Sequence, residues 1–206
     1  ISSLNLGYNK DFSVIVPKDW QQNIEKTYPL TIIFDRQNIR SHQFIINTID
    51  YLTISDQMPS TIIVSVDSEP MKRTKETLHK KTNPSGMAEE NELFIFNELI
   101  PFIEKNYKAS KFRVLIGHSR YGYLTTYLFE KRLTQLNAVI SLSPFFTTQK
   151  NINLSDSIST VNSYNGNHTK YYRYGIGNDF PKEYEIMEQS LKLLDNKFDN
   201  SWFDKI

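Results

Sequence analysis

Four short, almost unbroken apolar runs constrain this chain more than any other feature: residues 30–34, 61–66, 114–116 and 138–142. Each is too short for a helix and rich in β-branched residues, which marks a buried strand. Strands that are apolar on both sides must be covered on both faces, and that leaves a mostly parallel sheet between layers of helix. Residues 12–16, closed by Pro17, read as a further strand, and residues 170–175, with Tyr171, Tyr172 and Tyr174, as another.

The stretches between carry helical spacing. Phe44, Ile45, Ile49 and Leu52 form one apolar stripe, and Leu93, Phe96, Leu99, Ile100 and Ile103 form a second over residues 89–107. Glu89, Glu90 and Glu92 suit the start of that second helix, and Pro101 is expected to kink or divide it. Further helices are expected after Ser119, to about Arg132, and from Pro181 to about Asn196. Residues 67–86 read as a long polar loop with a basic cluster (Lys72, Arg73, Lys75, His79, Lys80 and Lys81), either a solvated surface or a functional segment. The fold class is therefore α/β, expected as one domain over residues 1–206.

Composition narrows the function classes. The 206 residues are 39% hydrophobic and 23% charged with a net charge of +1, so nothing points electrostatically to nucleic acid. No apolar run approaches the ~20 residues that span a bilayer. There is no cysteine, which removes disulfides, thiolate catalysis and cysteine-bound metals and is compatible with life outside the cytoplasm. The four histidines show no paired spacing, so neither a metal nor a cofactor is expected. Because the first residue is Ile1, the chain is expected to be a processed or trimmed product.

Residues 113–123, Arg-Val-Leu-Ile-Gly-His-Ser-Arg-Tyr-Gly-Tyr, carry the chemistry. Strand, glycine, serine, glycine, helix is the sequence form of a nucleophile elbow, in which a tight turn lifts a serine hydroxyl above the sheet rim. The helix that follows directs backbone N–H groups at an oxygen that becomes negative. The usual pattern is G-x-S-x-G; here Tyr121 stands at the second position after the serine and Gly122 one step later. The same residues also fit a strand end followed by an N-capping serine. Asp35, Ser119 and Asp179 all fall at carboxyl ends of expected strands, where sheets of this type bind ligands.

These pieces together resemble the esterase family of α/β-hydrolases that includes enterochelin esterase-like, feruloyl esterase-like and esterase D-like enzymes and the mycolyltransferases. The matching stretches are Tyr28-Pro-Leu-Thr-Ile-Ile-Phe-Asp35, Glu98-Leu-Ile-Pro-Phe-Ile103, Gly117-His-Ser-Arg-Tyr-Gly122 and Gly175-Ile-Gly-Asn-Asp179. The resemblance implies an α/β-hydrolase fold, Ser119 as nucleophile and Asp179 as the acid that orients a histidine. It also implies an oxyanion hole from the backbone N–H groups of Gln37 and Arg120. Two residues depart from the family by size: Arg36, where glycine usually follows Asp35, and Tyr121. A third departure is that no histidine follows Asp179, whereas the family places its base roughly thirty residues after the acid. The closing strand and helix, and the base with them, are therefore expected to lie outside this chain.

Asp179 equally fits an N-cap for the helix near Pro181. His118 is expected to be a packed neighbour of the nucleophile, His168 is an internal substitute for the base, and His42 and His79 read as surface residues. Arg73 and Tyr121 are candidate substrate-binding residues; Tyr123, Trp202 and the tyrosines of 171–174 fit either an aromatic pocket or core packing. The function expected is a serine carboxylic-ester hydrolase acting through an acyl-enzyme on an acylated sugar, hydroxycinnamate or siderophore ester. The alternative is a hydrolase-like binding module without activity. The partner expected is a small-molecule ester.

Overall fold

The computed structural model describes residues 1–22, 24–145, 170–175, 181–182, 185 and 201–205. Its strands are β1 (Phe12–Ile15), β2 (Tyr28–Phe34), β3 (Ile62–Val66), β4 (Ala109–His118), β5 (Ala138–Leu142), β6 (Lys170–Gly175) and β7 (Ser201–Lys205). They form one seven-stranded sheet in the order β1-β3-β2-β4-β5-β6-β7. β1 runs antiparallel to β3, and every other pairing is parallel. This is the mostly parallel sheet that the apolar runs require. β7 differs from the expectation of a strand lying outside this chain: Ser201–Lys205 pairs in parallel with β6 at the sheet edge.

Helices cover both faces. α1 (Ile39–Ile54) presses Ile45 and Ile49 onto Ile33, Ile63 and Ile116. On the opposite face Phe94, Ile95, Leu99, Ile103, Leu124 and Leu128 pack with Leu30, Ile32, Val64 and Leu115. The segment expected to kink or divide at Pro101 is helical throughout but not uniform, running as α3 (Ala88–Leu93), a π-helical turn (Phe94–Leu99) and α4 (Ile100–Tyr107) in direct succession. Pro101 has no N–H for a helical bond, and the wide turn just before it absorbs the mismatch. The extra residue per turn rotates the stripe, so Phe94 and Ile95 are fully buried while Leu93, expected in the core, is 36% exposed.

The polar stretch after β3 is not a loose loop. It forms α2 (Pro70–Lys75) and then a turn in which Glu76, Thr77, Leu78 and His79 are all buried. α5 (Arg120–Lys131) begins directly after β4 and returns along β5. The positions that the topology brings to the carboxyl rim of β2 and β4 are Asp35 and Ser119.

Candidate active site

The turn between β4 and α5 is built around Ser119, whose backbone sits at φ 58°, ψ −119°. A side-chain-bearing residue adopts this region only when its surroundings impose it. Here the Ser119 N–H donates to the Leu142 carbonyl at 2.9 Å, and the Ser119 carbonyl accepts from Tyr123 N at 3.1 Å and Phe145 N at 3.0 Å. The Ser119 hydroxyl makes no capping bond to α5, so it is not spent on the helix start. Gly117 lets the turn close: a Cβ there would lie 2.1 Å from the Tyr121 carbonyl oxygen. Gly122 lets α5 approach β5, where a Cβ would come within 2.9 Å of the Leu142 carbonyl oxygen.

The first residue of α5 is Arg120, and its N–H has no acceptor among the described residues. The aligned peptides of α5 add a partial positive charge at the same place. The neighbouring strand supplies the second half of the site. Ile33 pairs with Ile116, so the same register carried forward sets Asp35 beside His118, with Gln37 just beyond. Asp35 is buried with φ 69°, and the chain turns there as Arg36 N donates to the Val66 carbonyl and Asn38 N to the Asp35 carbonyl. The Gln37 N–H has no acceptor among the described residues, and its side chain bridges Asp35 and the Ser68 amide.

Arg73 on α2 grips the Asp35 carboxylate with two parallel bonds, Nε to Oδ1 at 2.7 Å and Nη2 to Oδ2 at 2.8 Å. The Asp35 contact holds its guanidinium charge more firmly than usual. Burial pulls Arg120 the other way, with Arg73 adding to the effect, and its guanidinium lies 5.2 Å from the Phe145 ring centre. His118 is half-buried; burial lowers its pKa, Asp35 partly opposes that and Arg73 reinforces it. His118 Nδ1 is buried and unpartnered among the described residues.

Several expectations are corrected. Tyr121, a candidate substrate contact, is 1% exposed: its ring stacks on Phe34 at 5.3 Å and its hydroxyl donates to Glu76 Oε2 at 2.5 Å. It is part of the interior, held between Phe34 of β2 and Glu76 just after α2. Tyr123 is equally buried and bonds His79 Nε2 at 2.9 Å. His79, expected at the surface, is buried between Tyr123 and Glu89, and His42 is partly covered and bonds Ser65 at 2.8 Å. Arg36 does not crowd the rim: its guanidinium turns to Asp67 at 2.9 Å, and its backbone needs no glycine because the positive φ belongs to Asp35. Asp179 and His168, and the side chains of Tyr171, Tyr172, Tyr174 and Trp202, lie outside the described residues.

The sequence reading missed Glu76 and Ser68, which bond the Tyr121 hydroxyl, and Lys10, which bonds both of them. Arg73 and Glu76 do share one helical face by spacing, which was a usable signal. Nothing local, however, links Lys10 to a carboxylate so far along the chain.

The geometry agrees with the comparisons. The family described as "Putative esterase" matches over residues 3–202. No curated protein sequence matches the chain. Among solved structures, the BES protein from Bacillus cereus superposes with a TM-score of 0.79 at 18% identity, over 100% of this chain and 84% of that one. An IroE-like serine hydrolase from Shewanella oneidensis gives 0.77 at 17%, over 100% and 71%. Enterochelin esterase from Shigella flexneri gives 0.73 at 15%, over 100% and 51%, so the chain spans about half of that protein's length. No helix among the described residues is long and apolar enough to cross a membrane. With an α/β-hydrolase sheet, a matching family profile over nearly its whole length and an elbow at the expected strand end, the chain belongs to this esterase family.

Proposed function

We propose that the protein is a serine carboxylic-ester hydrolase with Ser119 as its nucleophile. The observation that carries this reading is the imposed backbone conformation of Ser119, which frees its hydroxyl from the helix it precedes. In the reaction, Ser119 Oγ attacks the ester carbonyl carbon while a histidine outside the described residues takes the hydroxyl proton. Asp179 fixes that imidazole's tautomer and orientation. The carbonyl oxygen becomes an oxyanion held by the N–H groups of Arg120 and Gln37, and collapse expels the alcohol, which receives the proton from the histidine. Water then releases the acid from Ser119 by the same steps in reverse order.

Arg73 uses Nε and Nη2 on Asp35, leaving Nη1 as the donor that meets an oxygen of the substrate. Acylated sugars, hydroxycinnamate esters and siderophore esters are the substrate classes proposed; the similarity to enterochelin esterase and to a ferulic acid esterase supports the last two. The alternative of an inactive binding module draws on Tyr121, Arg36 and the absence of a histidine after Asp179; of these, Tyr121 packs into the interior on Phe34 and Arg36 turns to Asp67, which leaves the missing histidine as its ground. A fluorophosphonate probe tests the reading. Labelling of the full-length protein that disappears in Ser119→Ala supports it, and a folded protein that stays unlabelled refutes it.

A further inference from the structure

Beside the Ser119 turn lies a buried polar cluster that the ester chemistry does not call for. Glu76 is fully buried, and its carboxylate meets Lys10 Nζ at 2.6 Å through both oxygens, Tyr8 Oη at 2.5 Å, Ser68 Oγ at 2.5 Å and Tyr121 Oη at 2.5 Å. Lys10 is 3% exposed and also donates to Ser68 at 3.0 Å, while Asn91 Nδ2 holds the Glu76 carbonyl at 3.1 Å. Burial works to raise the Glu76 pKa, but the Lys10 ammonium and the donors around it outweigh that and hold the carboxyl below its usual range. Burial and the adjacent Glu76 carboxylate raise the Tyr121 hydroxyl well above an ordinary phenol, so it remains a donor.

A pair of buried charges like this is poor value for stability alone, because desolvation offsets much of the attraction. What it does well is fix one geometry, and here the geometry concerns both halves of the site. Tyr121 is the second residue after Ser119, and its ring lies parallel to Phe34, the residue before Asp35. Three residues before Glu76, on the same short segment, Arg73 holds Asp35 at the start of the Gln37 loop. At the other end of that segment Ser68 N donates to Gln37 Oε1 at 3.0 Å.

We propose that Glu76, paired with Lys10, is a positioning residue for ester cleavage: through Tyr121 it fixes the Ser119 turn, and through Arg73 and Ser68 its segment fixes the Gln37 loop. Residues 68–76 then act as one brace that sets the distance between the nucleophile and the oxyanion donors. The usual small residue after an elbow serine is replaced here by a tyrosine whose hydroxyl is the handle for that brace. This inference rests on Ser119 being the nucleophile.

The test uses the full-length protein and the variants Tyr121→Phe, Glu76→Gln and Ser119→Ala. Two rates are read well below each variant's Tm: fluorophosphonate labelling, and hydrolysis of p-nitrophenyl acetate resolved into kcat and KM. Tyr121→Phe keeps the ring stack and removes only the handle. It is expected to lower both the labelling rate and kcat roughly 10- to 100-fold with KM little changed, the signature of misaligned reacting groups. Glu76→Gln, which keeps one acceptor oxygen but loses the charge facing Lys10, is expected to do the same if it folds; Tyr121→Phe carries the test if it does not. Labelling of the Tyr121→Phe protein at the parental rate, whether or not its Tm falls, assigns the cluster to stability only and overturns the proposal. Absence of labelling in the parent protein overturns the nucleophile assignment, and the proposal with it.

Discussion

Replacing Ser119 by glycine should make the protein more stable than replacing it by alanine. At φ 58°, ψ −119°, any residue with a Cβ pays strain of about 1–3 kcal/mol. Alanine keeps that strain and glycine removes it. Glycine also loosens the unfolded chain, which costs about 0.4–1 kcal/mol. Since the hydroxyl caps nothing in α5, its loss is common to both variants and drops out of the comparison. The net preference is therefore about 0.5–2 kcal/mol for glycine, or roughly 1–8 °C in Tm for a chain of this size. An ordinary N-cap also favours glycine over alanine, so Asn38, the N-cap of α1 at φ −82° with no capping bond, supplies the control. Thermal unfolding by circular dichroism of the four variants gives the answer. The glycine–alanine difference at 119 must exceed that at 38; if the two are equal, the Ser119 turn holds no strain and the argument from its backbone fails.

Gly117→Ala places a methyl 2.1 Å from one backbone oxygen and 2.5 Å from its carbon, neither of which can swing aside. A loss of about 3 kcal/mol and at least about 100-fold in esterase rate is expected, against about 1 kcal/mol and no rate change for Gly7→Ala, which meets nothing within 4 Å at φ 75°; equal effects at the two sites would refute the elbow packing. His118 predicts an acid sensitivity. Burial lowers its folded pKa, so the unfolded state binds the proton first and stability falls as pH drops from about 6.5 toward the depressed folded value. Urea unfolding at several pH values across that window should show a shallower slope for His118→Gln than for the parent, and identical slopes would contradict the assignment.

What was legible in the sequence was whatever is enforced locally. Apolar runs such as residues 138–142 became strands with the same bounds, because a buried strand leaves its signature in consecutive residues. The features that escaped are set by distant partners or by departures from a regular period. Phe44 has correct helical spacing but is 69% exposed, since the face of α1 that packs on the sheet is the one carrying Ile45, Ile46 and Ile49. The rotation introduced by the π turn before Pro101 is invisible to a search at 3.6 residues per turn. His79 looked like part of a solvated basic cluster because its partners Glu89 and Tyr123 are separated from it along the chain. Glu98, singled out only by resemblance, acquires a reason: its Oε1 accepts from Leu4 N, Asn5 N and Asn5 Nδ2 at 3.1, 3.0 and 2.6 Å, tying down the N-terminal turn.

The irregular spacing of the elbow, with glycine one step later than usual, separates two demands that the common pattern merges. The position two before Ser119 must be small whatever surrounds it, because its would-be Cβ collides with the backbone of the turn itself. The positions after Ser119 need be small only where another element comes close. Gly122 faces β5 and the following Pro144, whose Cα would lie 3.0 Å from a Cβ there, so glycine is required at that step. Tyr121 points instead to the space between Phe34 and Glu76, which is open to a large ring and lined with acceptors for its hydroxyl. The departure is thus a change in what the elbow is anchored to, not in how the elbow turns. The tyrosine at this step has its hydroxyl met by the Glu76 carboxylate, which Lys10 in turn neutralises.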